Sequence, residues 1–131
     1  MSSSLLIIQN LYNAYKANDL TAFYTDLSPT LTWTESAGFP TAGTYHTKEE
    51  IVANVFSVLA RDWDDWFFTL EELIDGGKDV VAVGTYRGRN KGTGRAFESR
   101  AAHVWRVVGG KIEGFEQFAD TAVMQNAALD G

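Results

Sequence analysis

The sequence predicts an α+β domain in which helices pack on one face of a curved antiparallel sheet. Three observations carry this prediction. Apolar residues recur at helical spacing early in the chain. From Trp66 onward they alternate instead, and short glycine turns separate the alternating segments. Helices segregated from a run of hairpins form α+β layers, not a parallel sheet wound between helices. A chain of 131 residues is one domain by size, residues 1–131.

The elements follow in order. Ser3 and Ser4 precede a stripe of Leu5, Ile8, Leu11, Tyr12 and Tyr15, which predicts a capped amphipathic helix. "KANDL" (16–20) breaks it, "TAFYTDL" (21–27) is a short second helix, and "SPT" (28–30) ends that helix. Residues 31–35, "LTWTE", alternate as a strand, and "SAGFPTAGTY" (36–45) is a Gly- and Pro-containing loop. Thr47 and Glu50 form a capping box ahead of Ile51, Val52, Val55, Phe56 and Leu59, a third helix. Strands are predicted over 66–74, 79–90, 96–108 and 111–119, joined at "DGGK", "KGTG" and "GG". Asp120 is the N-cap candidate of a closing helix, "DTAVMQNAAL".

Strand parity sorts side chains between the two faces of the sheet. Leu31 and Trp33 make one apolar face of their strand, and Glu35 falls on the same side. In 96–108 the apolar face is Phe97, Ser99, Ala101, His103, Trp105 and Val107. In 111–119, Phe115 and Gln117 share a face opposite Ile112, Gly114, Glu116 and Phe118. In 79–90 either parity fits: Val80, Ala82, Gly84 and Tyr86, or Val81, Val83, Thr85 and Arg87. The resulting inner surface offers Trp33, Tyr86, Trp105, Phe115 and Gln117 around Glu35 and His103. Many rings with a few convergent polar groups is the usual form of a small-molecule site.

Composition narrows the function classes. Four Trp, five Tyr and eight Phe fit a core wrapped around a cavity. A net charge of −6 opposes phosphate backbones, so no nucleic acid partner is expected. The absence of Cys excludes a disulfide framework and a thiolate metal site. Two histidines far apart give a metal site little support, and no cofactor is implied. The apolar run Leu5–Ile8 is too short for a signal peptide or a membrane span, so no membrane partner and a cytoplasmic location are expected. The glycine turn "KGTGR" joins two strands and opens no helix, so it reads as a turn and not as a phosphate loop. Arg87, Arg89, Lys91 and Arg95 around it read as a solvated hairpin tip.

The stretches "LYNAYKANDLTAFYTDLSPTLTWTESAG", "GTYHTKEEIV" and "HVWRVVGGKIEGFEQFADTAVMQNAAL" resemble the SnoaL-like branch of the NTF2-like superfamily over essentially the whole chain. That superfamily includes ketosteroid isomerase, polyketide cyclases, scytalone dehydratase and limonene epoxide hydrolase. The resemblance implies a cone-shaped curved sheet packed on N-terminal helices and enclosing a pocket. It places Glu35 where the isomerases carry an aspartate base, and His103 where they carry a protonated acid that bonds the substrate oxygen. Their catalytic tyrosine aligns with Leu11, flanked here by Tyr12 and Tyr15, which argues against steroid isomerisation itself. Tyr86 and Gln117 stand where the epoxide hydrolases carry arginine and aspartate, so that water-activating network is absent. Asp120 resembles the aspartate that polyketide cyclases use ahead of the last helix, although Asp120–Thr121 also reads as a good helix cap.

Glu35, His103 and Asp120 are therefore the candidate catalytic residues. Trp33, Tyr86, Trp105, Phe115, Gln117, Tyr12 and Tyr15 are the candidate ligand contacts. The expected activity is proton transfer next to a carbonyl of an apolar, oxygenated small molecule, as in isomerases, cyclases and dehydratases. The alternative is a non-catalytic domain that binds a hydrophobic ligand or a protein. Ala102, Val104 and Phe118 would leave an apolar stripe on the outer sheet face, so a homodimer is expected.

Overall fold

The structure, a computed structural model, describes residues 3–129. Six strands form one open, curved sheet in the order β2-β1-β6-β5-β4-β3. They are β1 (Leu27–Glu35), β2 (Gly43–Tyr45), β3 (Trp63–Gly76), β4 (Asp79–Asn90), β5 (Ala96–Val108) and β6 (Lys111–Ala119). The helices α1 (Ser3–Lys16), α2 (Leu20–Tyr24), α3 (Lys48–Ile51), α4 (Ser57–Asp62) and α5 (Thr121–Ala128) complete the chain. A π-helical stretch, Val52–Phe56, joins α3 to α4. The buried core lies between the concave sheet face and α1, α2 and the α3–α4 segment. A helix stands at each expected place, but the second ends at Tyr24 instead of residue 27 and the third is interrupted by the π-helical stretch.

Several elements depart from the expected boundaries, each for a local reason. Ser3 and Ser4 lie in the first turn of α1, not ahead of it, and the residues before them fall outside the described range. β1 begins at Leu27 and so contains Pro29. The proline is tolerated because β2 pairs only with Trp33–Glu35 and the β6 register is irregular between Leu27 and Thr32. β2, three residues long, emerges from the segment expected to be loop. β3 starts at Trp63, three residues early, because bulges near Asp64–Phe67 and Leu70–Glu72 break its alternation.

The sheet is not wholly antiparallel, because β1 and β6 pair in parallel while every other pair is antiparallel. A parallel pair needs a long crossover, and here the α3–α4 segment and the β3–β5 meander supply it. The Thr47 hydroxyl accepts the Glu50 N–H at 3.1 Å, as the capping box requires, and the Glu50 carboxylate accepts the His46 N–H at 3.0 Å.

Burial settles the parity of β4 and β5. Val80, Ala82, Gly84 and Tyr86 point inward, as do Phe97, Ser99, Ala101, His103, Trp105 and Val107. In β6 the expected faces are corrected. Ile112 points inward together with Phe115 and Gln117, because Val107 pairs with Ile112 while Arg106 pairs with Gly114. Glu113 is the extra residue, and this bulge restores Ile112 to the inner face. The basic hairpin tip is engaged. Arg95 donates to the Asn126 and Leu129 carbonyls at the end of α5, and Lys91 donates to the Ala60 carbonyl in α4.

Candidate active site

Leu31, Trp33 and Glu35 all turn inward, at 1%, 3% and 4% exposure. The end of β1 therefore delivers a carboxylate into the core, as its alternation predicts. The loop 36–42 then folds over it: Phe39 packs against Trp66 and Tyr86, and the Thr41 hydroxyl donates to Glu35 Oε1 at 2.8 Å. Glu35 Oε2 accepts from Trp33 Nε1 and Gln117 Nε2, both at 3.3 Å. Three donors favour the ionised form, yet loss of solvent outweighs them. Burial pushes the Glu35 carboxyl up to about 7 from its ordinary 4.5.

A continuous chain of buried hydrogen bonds runs from this carboxyl across the sheet. Gln117 Nε2 also donates to the Tyr86 hydroxyl at 2.9 Å. Tyr86 Oη lies 2.6 Å from His103 Nε2, and Tyr12 Oη lies 2.5 Å from His103 Nδ1. Trp105 Nε1 donates to the Tyr12 hydroxyl at 2.8 Å and ends the chain. The His103 ring stacks on Phe68 with centroids 4.2 Å apart. Gly84 makes this stacking possible, since a Cβ there would come within 2.5 Å of the Phe68 ring. Buried among rings, His103 drops to about 3 from 6.5 and is neutral near pH 7. Burial pushes the Tyr12 and Tyr86 hydroxyls well above the usual phenol range.

These groups border a cavity of about 50 Å³. Its walls include Glu35, His103, Tyr12, Tyr86, Trp33 and Phe115, together with Trp105 and Tyr15, and among the described residues no Lys or Arg contributes. The volume is small beside the roughly 300–1,000 Å³ of a drug-sized ligand's site. A surface groove of about 700 Å³ lies next to it. Groove and cavity share Tyr15, Phe23, Phe56, Leu59 and Trp66 among their lining residues. Phe56 stands at the end of the π-helical stretch, a distortion frequently found at functional sites.

The structure thus brings Glu35, His103, Trp33, Tyr86, Trp105, Phe115, Tyr12 and Tyr15 together. Tyr15 borders the cavity with its ring, while its hydroxyl accepts the Phe68 N–H at 2.9 Å. Two of the predicted site residues stand apart. Gln117 does not border the cavity; its amide connects Glu35 and Tyr86, and its Oε1 accepts from the Ser36 N–H and hydroxyl. Asp120 is exposed at the start of α5, away from the cavity, and its side chain makes no capping bond. Its backbone carbonyl instead accepts the Ser99 hydroxyl. Thr41, Ser36 and Phe39 were not legible as site residues, because an irregular loop has no period to read. Phe68 was hidden by the bulges of β3. Among the described residues, no group of three or more His, Asp or Glu is placed to hold a metal ion. No described helix is long and apolar enough to cross a membrane.

The comparisons with known proteins agree with this architecture. An NTF2-like protein from Burkholderia thailandensis is 45% identical, with a TM-score of 0.96 over 99% of this chain and 100% of that one. An NTF2-like protein of unknown function from Burkholderia pseudomallei is 27% identical, with a TM-score of 0.88 over 99% and 100%. TerC, co-crystallised with polyporic acid, shares the fold at 19% identity, with a TM-score of 0.84 over 96% and 98%. No curated protein matches at a significant level. The SnoaL-like domain family matches residues 8–115. With that match spanning most of the sheet and its helices, the chain belongs to the SnoaL-like domain family and has an NTF2-like fold.

Proposed function

We propose that this protein is an enzyme that moves a proton next to the carbonyl of an apolar, oxygenated small molecule, with Glu35 as the base. The observation that supports it is a carboxyl buried in the wall of an aromatic cavity and brought to about 7. A base with that pKa exists in both forms near neutral pH, which suits it to take up a proton and return it. Isomerisation, cyclisation and dehydration share this step, and it needs no cofactor. His103 has both ring nitrogens engaged, so in this reading it acts on the substrate oxygen through Tyr12 and Tyr86. The aromatic walls favour a planar ligand. TerC, which shares the fold at 19% identity, was co-crystallised with a small molecule, polyporic acid, which supports a small-molecule ligand. A substrate larger than the cavity would enter from the groove by displacing Phe56 and Leu59.

The test is exchange of the hydrogens α to the carbonyl of cyclopentanone in D₂O, followed by NMR. Wild type should accelerate it and Glu35→Gln should not. Equal exchange in both proteins would remove Glu35 from the role.

One observation favours a second reading, a non-catalytic binding domain. The cavity is narrow, and among the described residues no buried side-chain N or O atom lacks a partner. A binder would keep its affinity for the ketone in Glu35→Gln, and its wild type would show no exchange. In either reading we place a homodimer on the outer sheet face, where Phe118 is half-exposed beside Ala102 and Val104. A monomer in solution scattering at micromolar concentration would contradict that assembly.

A further inference from the structure

We infer that α5 is a strut that holds the loop 36–42 closed over Glu35. Gln125 and Thr121 are its positioning residues, and Thr93 and Arg95 at the β4–β5 turn are its anchor. The inference rests on the proposed function for the use made of the carboxyl, and adds what keeps water from it.

The loop joins β1 to β2, and the pairing of Glu35 with Gly43 fixes both of its ends. Its backbone closes two turns, from the Phe39 N–H to the Ser36 carbonyl and from the Ala42 N–H to the Phe39 carbonyl, both at 3.1 Å. This irregular segment nonetheless buries Phe39 and Thr41 and sets the Thr41 hydroxyl on the Glu35 carboxyl. A loop with so little regular bonding stays closed through what it touches.

Its middle touches α5. The Gly38 carbonyl can only accept, so Gln125 Nε2 donates to it, at 3.2 Å. Gly38 has φ +87°, and a Cβ there would come within 2.8 Å of both Gln125 Nε2 and Thr121 Oγ1. Glycine is thus what lets the loop backbone lie directly on the helix. Thr121 and Gln125 stand one turn apart and present one face of α5 to the loop. Beside this contact opens a surface cleft of about 390 Å³, lined by Gly38 and Pro40 of the loop and by Met124, Gln125 and Ala128 of α5. Loop and helix therefore meet over a narrow area, and Gln125 is central to it.

The helix is fixed at both ends. At its start the Asp120 N–H donates to the Arg100 carbonyl, and the Asp120 carbonyl accepts the Ser99 hydroxyl. At its end the Thr93 hydroxyl donates to the Ala127 carbonyl, and the Arg95 guanidinium donates to the Asn126 and Leu129 carbonyls. Met124 and Ala127 are buried between these ends. A helix of 8 residues is marginal in water by itself, so these attachments decide where Gln125 stands. Arg95 touches neither the loop nor Glu35, and it acts on both through the helix.

The experiment is amide hydrogen exchange of Phe39 and Ala42 by NMR, with the amides of β5 as reference, and a ¹³C titration of Glu35 in the same proteins. Gln125→Ala should speed exchange at Phe39 and Ala42 roughly 2–12-fold, the loss of one neutral hydrogen bond, and leave β5 unchanged. Arg95→Met should act in the same direction. Gly38→Ala should do more, and should lower the Glu35 midpoint toward 4.5, because burial is the larger influence on that carboxyl and the Thr41 bond the smaller. The titratable groups facing Glu35 are Tyr12 on α1, Tyr45 on β2, Tyr86 on β4 and His103 on β5, all neutral near pH 7. The midpoint therefore reports the loop and not a neighbouring charge.

Unchanged exchange at Phe39 and Ala42 in Gln125→Ala would overturn the inference. So would equal acceleration in β5, or a Glu35 midpoint unmoved by Gly38→Ala. Should Gly38→Ala fail to fold, exchange in Gln125→Ala and Arg95→Met decides alone. Failure of the proposed function looks different: the loop amides would respond as described, while wild type would show no α-exchange.

Discussion

Glu35 and His103 share one cavity at almost equal exposure, 4% and 5%, and burial moves their protons in opposite senses. The carboxyl rises to about 7 and the imidazole falls to about 3. Desolvation acts against charge of either sign, so the acid holds its proton longer and the base refuses one. The partners differ accordingly. Glu35 is met by three donors that suit an anion, whereas His103 lies between two phenols that suit a neutral ring. Near pH 7 the cavity thus holds a carboxyl poised to titrate and an imidazole held neutral.

The largest test of this contrast is the catalytic one. Glu35→Gln should reduce α-exchange about 10²–10⁴-fold, the range of a general base. The corresponding His103 experiment is a titration of stability. A histidine whose folded pKa is depressed contributes stability that is present above 6.5 and lost as pH falls toward about 3. The full loss is about 5 kcal/mol at about 1.4 kcal/mol per unit. For Glu35 the sign is reversed. Its raised pKa contributes stability that is present below 4.5 and lost as pH rises through about 7, about 3 kcal/mol in all. Between pH 4.5 and 6.5 the two slopes oppose each other. Urea unfolding should therefore give a plateau there, a small decline up to pH 7 and a steep fall below 4.5.

Glu35→Gln sharpens the same comparison. The amide oxygen can accept from Trp33 and Gln117, and its NH₂ can donate to the Thr41 hydroxyl. The variant should be more stable than wild type by up to about 3 kcal/mol above pH 7, with the advantage vanishing below pH 4.5. The smallest effect serves as a control. The Tyr15 hydroxyl lies off the chain and bonds the Phe68 backbone, so Tyr15→Phe should cost about 1 kcal/mol at every pH. A pH-dependent Tyr15→Phe effect would mean that the titrating unit is larger than Glu35 and His103.

Where local chemistry decided the structure, the sequence was readable. The bounds of β4, β5 and β6 follow from glycine turns and a clear period of two, and Glu35 declared its direction by falling in step with Leu31 and Trp33. The bulge at Glu113, the parallel β1–β6 pair and the three-residue β2 are set by long-range pairing, which leaves no periodic trace. The site shows the same division. Glu35, His103 and the rings could be nominated one strand at a time. The link from Tyr12 through His103 to Tyr86 joins α1, β5 and β4, and only the folded chain puts those hydroxyls on the two ring nitrogens. Asp120 shows the converse, a motif residue that the strand end leaves in solvent away from the cavity.

A carboxyl ready to exchange its proton near neutral pH is what this fold contributes to any proton transfer. A ¹³C NMR titration of the glutamate side-chain carboxyls, with Glu35→Gln assigning the resonance, measures it. The Glu35 signal should titrate with a midpoint near 7. A midpoint near 4.5 would mean that the three donors outweigh burial, and Glu35 would then be an ordinary ion with no claim to be the base.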